Sequence, residues 1–141
     1  MTGMRLPEDE ARRRLAGERV AHLATASASG QPHVVAVTFA VDGDRIYTAV
    51  DHKPKTTANL RRLRNIAENP LVTVLADHYS DDWDQLWWAR ADGRAAILSR
   101  AEQTAVPIAV LASRYPQYRD ARPDGPVIAI DVRRWTAWSA S

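Results

Sequence analysis

The chain contains no cysteine. Disulfides, thiolate-bound zinc and cysteine nucleophiles are therefore excluded, and the absence fits a reducing cytoplasm, the expected location. No apolar run is long enough to cross a bilayer, and the opening residues MTGMRLPEDE lack the apolar core of a signal peptide. No membrane partner is expected. Catalytic signatures are missing as well. There is no Gly-x-Gly-x-x-Gly, no Walker lysine and no nucleophile-elbow serine. His22, His33, His52 and His78 show no metal-ligand spacing, and the acidic segment 77–84 lacks the glycine and terminal glutamate of a calcium loop. No metal site is expected. A chain without its own catalytic constellation points to a function in which a bound cofactor supplies the reactivity.

Lysine is almost absent too. Of nineteen basic residues only Lys53 and Lys55 are lysines. They stand one residue apart where an extended segment gives way to a helix. A cation at a helix N-terminus costs a few tenths to about 1 kcal/mol, because that end is already partly positive. The pair is either a solvated surface feature or one wall of an anion site, with the helix amides as the other.

Around these gaps the composition is ordinary for one globular domain spanning 1–141, at 45% hydrophobic and 26% charged residues. A net charge of +2 is small for a nucleic-acid binder, so none is expected as a partner. Residues 7–16 read as a helix with acids in its first turn and Arg12 to Arg14 near its end. Residues 20–26 read as a strand. Residues 33–41, apolar on both faces and rich in β-branched side chains, read as a central strand buried on both sides. Asp42-Gly43-Asp44 signals a hairpin into a third strand over 45–50, giving an antiparallel meander. A helix follows over 57–69, with Leu60, Leu63, Ile66 and Ala67 as its apolar stripe and Arg61, Arg62 and Arg64 outside. A strand is expected over 71–76, and residues 85–98 read as one long strand or a bent strand pair, with a bulge or bend at Asp92-Gly93. A helix over 101–115 should be kinked or divided by Pro107. A proline-rich loop leads to a closing strand over 127–132 and a tail over 133–138. Six strands with a few helices make a mainly β fold with flanking helices (α+β), in a small barrel.

The chain has five tryptophans. Trp87 and Trp88 are adjacent on a strand and so face opposite ways. Either both are packing residues of a core or a subunit contact, or Trp88 lines a flat cofactor pocket.

Leu23-Ala24-Thr25, Gly30-Gln31-Pro32-His33, Val34-Val35-Ala36-Val37, Asp42-Gly43-Asp44-Arg45-Ile46-Tyr47, Lys53-Pro54-Lys55 and Asn59-Leu60-Arg61 occur in an order that resembles the split β-barrel flavin and deazaflavin oxidoreductases. These are relatives of pyridoxamine 5′-phosphate oxidase with an FMN-binding-like fold. Asp81-Asp82-Trp83 and Leu86-Trp87-Trp88 resemble an actinobacterial branch that uses coenzyme F420, an 8-hydroxy-5-deazaflavin. The resemblance implies a six-stranded split barrel and a homodimer with cofactor sites at its interface. It implies a reductase that passes hydride from reduced F420 to a small organic acceptor.

It further implies that His33, Val34, Val35 and Ala36 run along the ring system. Val50, Asp51, Lys53 and Lys55 would receive the phosphate, with Thr56, Thr57 and Asn59 as added donors and Trp88 beside the ring. No side chain is assigned a catalytic role. Ala36 stands where many relatives have proline, and the helix after Lys55 is longer than theirs. The alternatives are an FMN-dependent reductase or oxidase of the same fold, and a non-catalytic cofactor-binding protein.

Overall fold

The computed structural model describes residues 2–50 and 57–141, with side chains for 2–50 and 61–141. In chain order the elements are β1 (Met4–Leu6), α1 (Glu8–Gly17), β2 (Ala21–Ala26), β3 (Pro32–Val37), β4 (Ala40–Asp42), β5 (Arg45–Ala49), α2 (Thr57–Glu68), β6 (Leu71–His78), β7 (Trp87–Leu98), α3 (Ala101–Arg114), α4 (Pro116–Asp120) and β8 (Val127–Ser139). All strand pairs are antiparallel, in the order β3-β2-β6-β7-β8-β5-β4, with β1 added to β8. The mainly β class with flanking helices is as expected. The strand number among the described residues is eight rather than six.

Two strands come from places the sequence reading did not divide. Met4–Leu6 forms β1, and the segment 33–41 is two strands, β3 and β4, separated by Thr38 and Phe39. Those two strands lie at opposite ends of the sheet path. The three chain steps from Val37 to Ala40 can span at most about 11 Å. The two sheet edges must therefore meet, and the sheet curls into a barrel that is split there. The segment is thus an edge strand and not a central one. Val34 is 59% exposed on its outer face. β-Branched residues suit any pleated surface, buried or not.

The Asp42–Arg45 hairpin forms as expected, with Gly43 at φ 61° in the first central position of its two-residue turn. Asp44 ties the turn inward. Its carboxylate accepts from Trp135 Nε1 at 3.0 Å and from Arg12 at 3.1 Å.

β8 is the spine of the sheet. It pairs with β7 along its whole length, with β5 over its first part and with β1 at its end. The expected tail 133–138 is therefore strand. The register slips at Asp92/Gly93, where Asp92 faces Arg134 and Gly93 faces Val132, so Arg133 is the extra residue. That insertion resets the alternation, which places Ile128, Ile130 and Val132 and then Trp135 and Ala137 in the interior. They pack with Leu23, Val74, Ala91 and the α1 residues Ala11 and Leu15. Pro107 does not divide α3. It is buried with Thr104 and Leu111 on the packing face of one continuous helix. No helix among the described residues is long and apolar enough to cross a membrane.

The crossing between β3 and β4 is clamped from α3. Phe39 is fully buried, and its N–H donates to the Tyr115 hydroxyl at 3.1 Å. That hydroxyl lies 2.9 Å from the Phe39 carbonyl and 2.8 Å from the Arg19 carbonyl, and donates to one at a time. Arg114 donates to the Phe39 carbonyl at 3.2 Å and also to the Glu18 carbonyl. Tyr115→Phe leaves the Phe39 N–H without its acceptor and should cost about 1–3 kcal/mol in urea unfolding. An unchanged midpoint would show that the clamp contributes nothing.

Candidate functional site

β3 is bonded to a neighbour on one side only. In an antiparallel pair, alternate residues turn their N–H and C=O away from the partner strand. Among the described residues those groups of His33–Val37 have no further backbone partner. Val34 and Ala36 face outward, Val35 packs against the core, and His33 is half-buried. The His33 Nδ1 atom is enclosed and makes no hydrogen bond among the described residues. A buried polar atom in that condition fits a bound ligand or water. Val50, just beyond β5, is buried, and its N–H donates to the Pro126 carbonyl at 2.9 Å. Asp51, Lys53, Lys55 and Thr56 lie outside the described residues. Thr57 and Asn59 open α2, where only the backbone is described.

α2 buries a polar stripe. Arg62 and Asn65 are 7% and 2% exposed, next to Ile66, whereas Ala67 is exposed. Arg62 was expected outside and Ala67 inside. The difference is one of rotation, because positions 62, 65 and 66 share a helix face whatever their polarity. Asn65 Nδ2 donates to the buried Thr25 hydroxyl at 3.0 Å, and Glu68 accepts from the Ala28 N–H at 3.1 Å. Burial pulls the Arg62 pKa down, and nearby Tyr118 partly offsets this. The Tyr118 hydroxyl is 2.7 Å from that of Thr38.

These contacts orient the helix. Its C-terminal half sits by the end of β2 and the turn before β3. Sequence reasoning missed this stripe because it tracked only apolar residues. Asn65→Ala strands the Thr25 hydroxyl and should destabilise by about 1–3 kcal/mol in thermal or urea unfolding. No loss would mean that the pair does not fix the helix.

Trp88 lies elsewhere in the chain. It is on the outer face of β7, three strands from β3, about 14 Å across the sheet. One chain therefore does not bring Trp88 together with His33–Ala36. Trp87 faces the other way, half-buried against the core, with Arg14 5.4 Å above its ring and His78 stacked at 6.2 Å. Trp88 is directly opposite Trp138 in the β7–β8 register. Both border a groove of about 420 Å³ at the end of the β6–β7 ladder.

Trp138 is held from below by the N-terminal segment. A Cβ on Gly3 would come within 2.4 Å of the indole, so a larger residue there requires the ring or the segment to move. Gly3→Val should displace the Trp138 ring and shift the tryptophan emission, with little change in far-UV circular dichroism. An unaltered emission spectrum would contradict this packing. A second groove, of about 540 Å³, runs from Pro32 and Ala24 past Thr73 to Arg94 and Arg133. No group of three or more potential metal ligands is present among the described residues.

This architecture occurs in solved structures. An FAD-binding protein from Mesorhizobium loti superposes with a TM-score of 0.80 at 22% identity, over 100% of both chains. An FAD-binding protein from Mycobacterium smegmatis gives 0.64 at 14% identity, over 96% of this chain and 98% of the other. The heme storage protein HutZ from Vibrio cholerae gives 0.67 at 20% identity, over 89% and 87%. No functionally curated protein matches the sequence. The profile of the pyridoxamine 5′-phosphate oxidase family matches residues 7–139, almost the whole chain. The curled antiparallel sheet, its open β3 edge and that match together make this chain a member of the pyridoxamine 5′-phosphate oxidase family.

Proposed function

We propose that the protein is an oxidoreductase that binds a flavin-type cofactor along the open edge of β3, and that the cofactor is the deazaflavin F420, in its reduced form the donor of hydride to a small organic acceptor. The observation that carries the reading is the free β3 edge with the enclosed, unsatisfied His33 Nδ1, in a chain of this family. The backbone of His33–Ala36 would meet the polar rim of the ring system. Val50, Asp51, Lys53 and Lys55 would follow toward the phosphate, with Thr56, Thr57 and Asn59 at the helix start. There the helix amides and the two lysines favour an anion together. The deazaflavin, with carbon in place of the flavin N5, supplies the hydride. The chain's own work is to hold the rings, exclude water and align the acceptor.

The active form would be a homodimer. Val34 and Leu71 are exposed on the same outer sheet face, and uncovered apolar surface of this kind is typical of interfaces. Trp88, too far from β3 in its own chain, would border the site of the second copy. A second reading, FMN or FAD in the same place, is favoured by the two FAD-binding proteins of this fold.

Parallel fluorescence titrations with F420, FMN and FAD distinguish these. Micromolar or tighter binding of F420 is expected. Lys55→Ala should weaken it about tenfold or more, equivalent to about 1.4 kcal/mol. Tighter FMN or FAD binding would transfer the assignment to a flavin, and no binding of any of the three would overturn both readings.

A further inference from the structure

From the groove at the end of the β6–β7 ladder we infer a binding site for a planar aromatic monocarboxylate. This deepens the reading above by naming a class of small molecule for this protein, and rests on it only in placing that molecule near the cofactor. The groove holds about 420 Å³, within the range of small-ligand sites, and is walled by Trp88, Trp138, Leu75 and Tyr79. Trp88 and Trp138 are cross-strand partners on β7 and β8, and Gly3 lies against the Trp138 indole. Two neighbouring indoles offer a flat ligand a broad aromatic contact area with few torsions to order.

The charged lining of the groove is Arg90 and Asp77. Arg90 lines the groove with its guanidinium 5.1 Å from the Trp88 ring. Among the described residues it makes no hydrogen bond, and its enclosed Nε lacks a partner. Its one charged contact is with Asp92, at 3.4 Å from Nε. Asp92 also accepts from the Thr73 hydroxyl at 2.7 Å, which holds that carboxylate in place. Directly opposite Arg90 on β8 stands Thr136, 3% exposed, with a hydroxyl that also has no partner. Beyond the ion pair with Asp92, the terminal N–H groups of Arg90 make no hydrogen bond among the described residues, and two parallel N–H donors match a carboxylate in planar, bidentate fashion. A second acid would meet Asp77, which also borders the groove two residues along β6 from the Leu75–Arg90 pair, about 7 Å away. The site should therefore select one carboxylate. The carboxylate is a handle, and no bond to it changes.

The test uses the cofactor-free protein, so failure here is separate from failure of the cofactor assignment. 2-Naphthoate should quench tryptophan emission saturably. 2-Naphthalenemethanol, cyclohexanecarboxylate and naphthalene-2,6-dicarboxylate should each bind at least tenfold more weakly. Arg90→Met should abolish the preference for naphthoate over naphthalenemethanol, and Trp88→Leu should weaken both, with near-UV circular dichroism checking that each variant is folded. If a variant does not fold, the ligand series on the unaltered protein decides alone. Absent binding, or equal binding of the acid and the alcohol, would overturn the inference.

Discussion

The fold depends on one constraint, the crossing of Thr38 and Phe39 from one sheet edge to the other. A seven-strand path whose terminal strands are separated by two residues cannot lie flat. The crossing is also the point where strand bonding stops, so the backbone of the fully buried Phe39 needs other partners. Tyr115 and Arg114 supply them from the end of α3, and Tyr118 reaches Thr38 from α4. The two helices therefore close the barrel rather than decorate it. The same closure leaves β3 with an open edge.

A second device works along the sheet. The single inserted residue Arg133 lets β8 keep an apolar interior face over thirteen residues while the strand changes phase. It carries the strand from its pairing with β5 to its pairing with β1. Trp135 and Trp138 follow the insertion on opposite faces. One is anchored by Asp44 in the interior, and the other lies against Gly3 at the groove.

Much of this was legible in the sequence, and the failures have physical causes. The Asp42-Gly43-Asp44 turn and helices α1 and α2 follow from local chemistry, and local chemistry was enough; the irregularity expected at Asp92-Gly93 lies opposite those residues, with the extra residue Arg133 on β8. The division of residues 33–41 was not legible, because nothing in His-Val-Val-Ala-Val-Thr-Phe-Ala-Val breaks the strand pattern. The break is imposed by tertiary clamping from residues more than seventy positions away. The run Val132-Arg133-Arg134-Trp135 looked like the end of a strand because a bulge and a terminus both interrupt alternation. In α2 the buried face is partly polar, and a stripe defined by hydrophobicity alone placed Arg62 on the wrong side. Of the candidate site, His33–Ala36 came from the resemblance as one segment, and they lie together on β3. Their partners in the fold, Thr25 with Asn65 and Thr38 with Tyr118, were not, since hydrogen-bonded pairs across a fold leave no periodic trace.

The central claim is that a flavin-type cofactor lies along the free edge of β3 with its phosphate at the start of α2. Amide chemical-shift mapping on addition of oxidised F420 tests it most directly. The account predicts the largest shifts at His33–Val37 and in the first turn of α2, at Thr57–Asn59. Shifts confined to other surfaces, with those two segments unmoved at saturation, would contradict it.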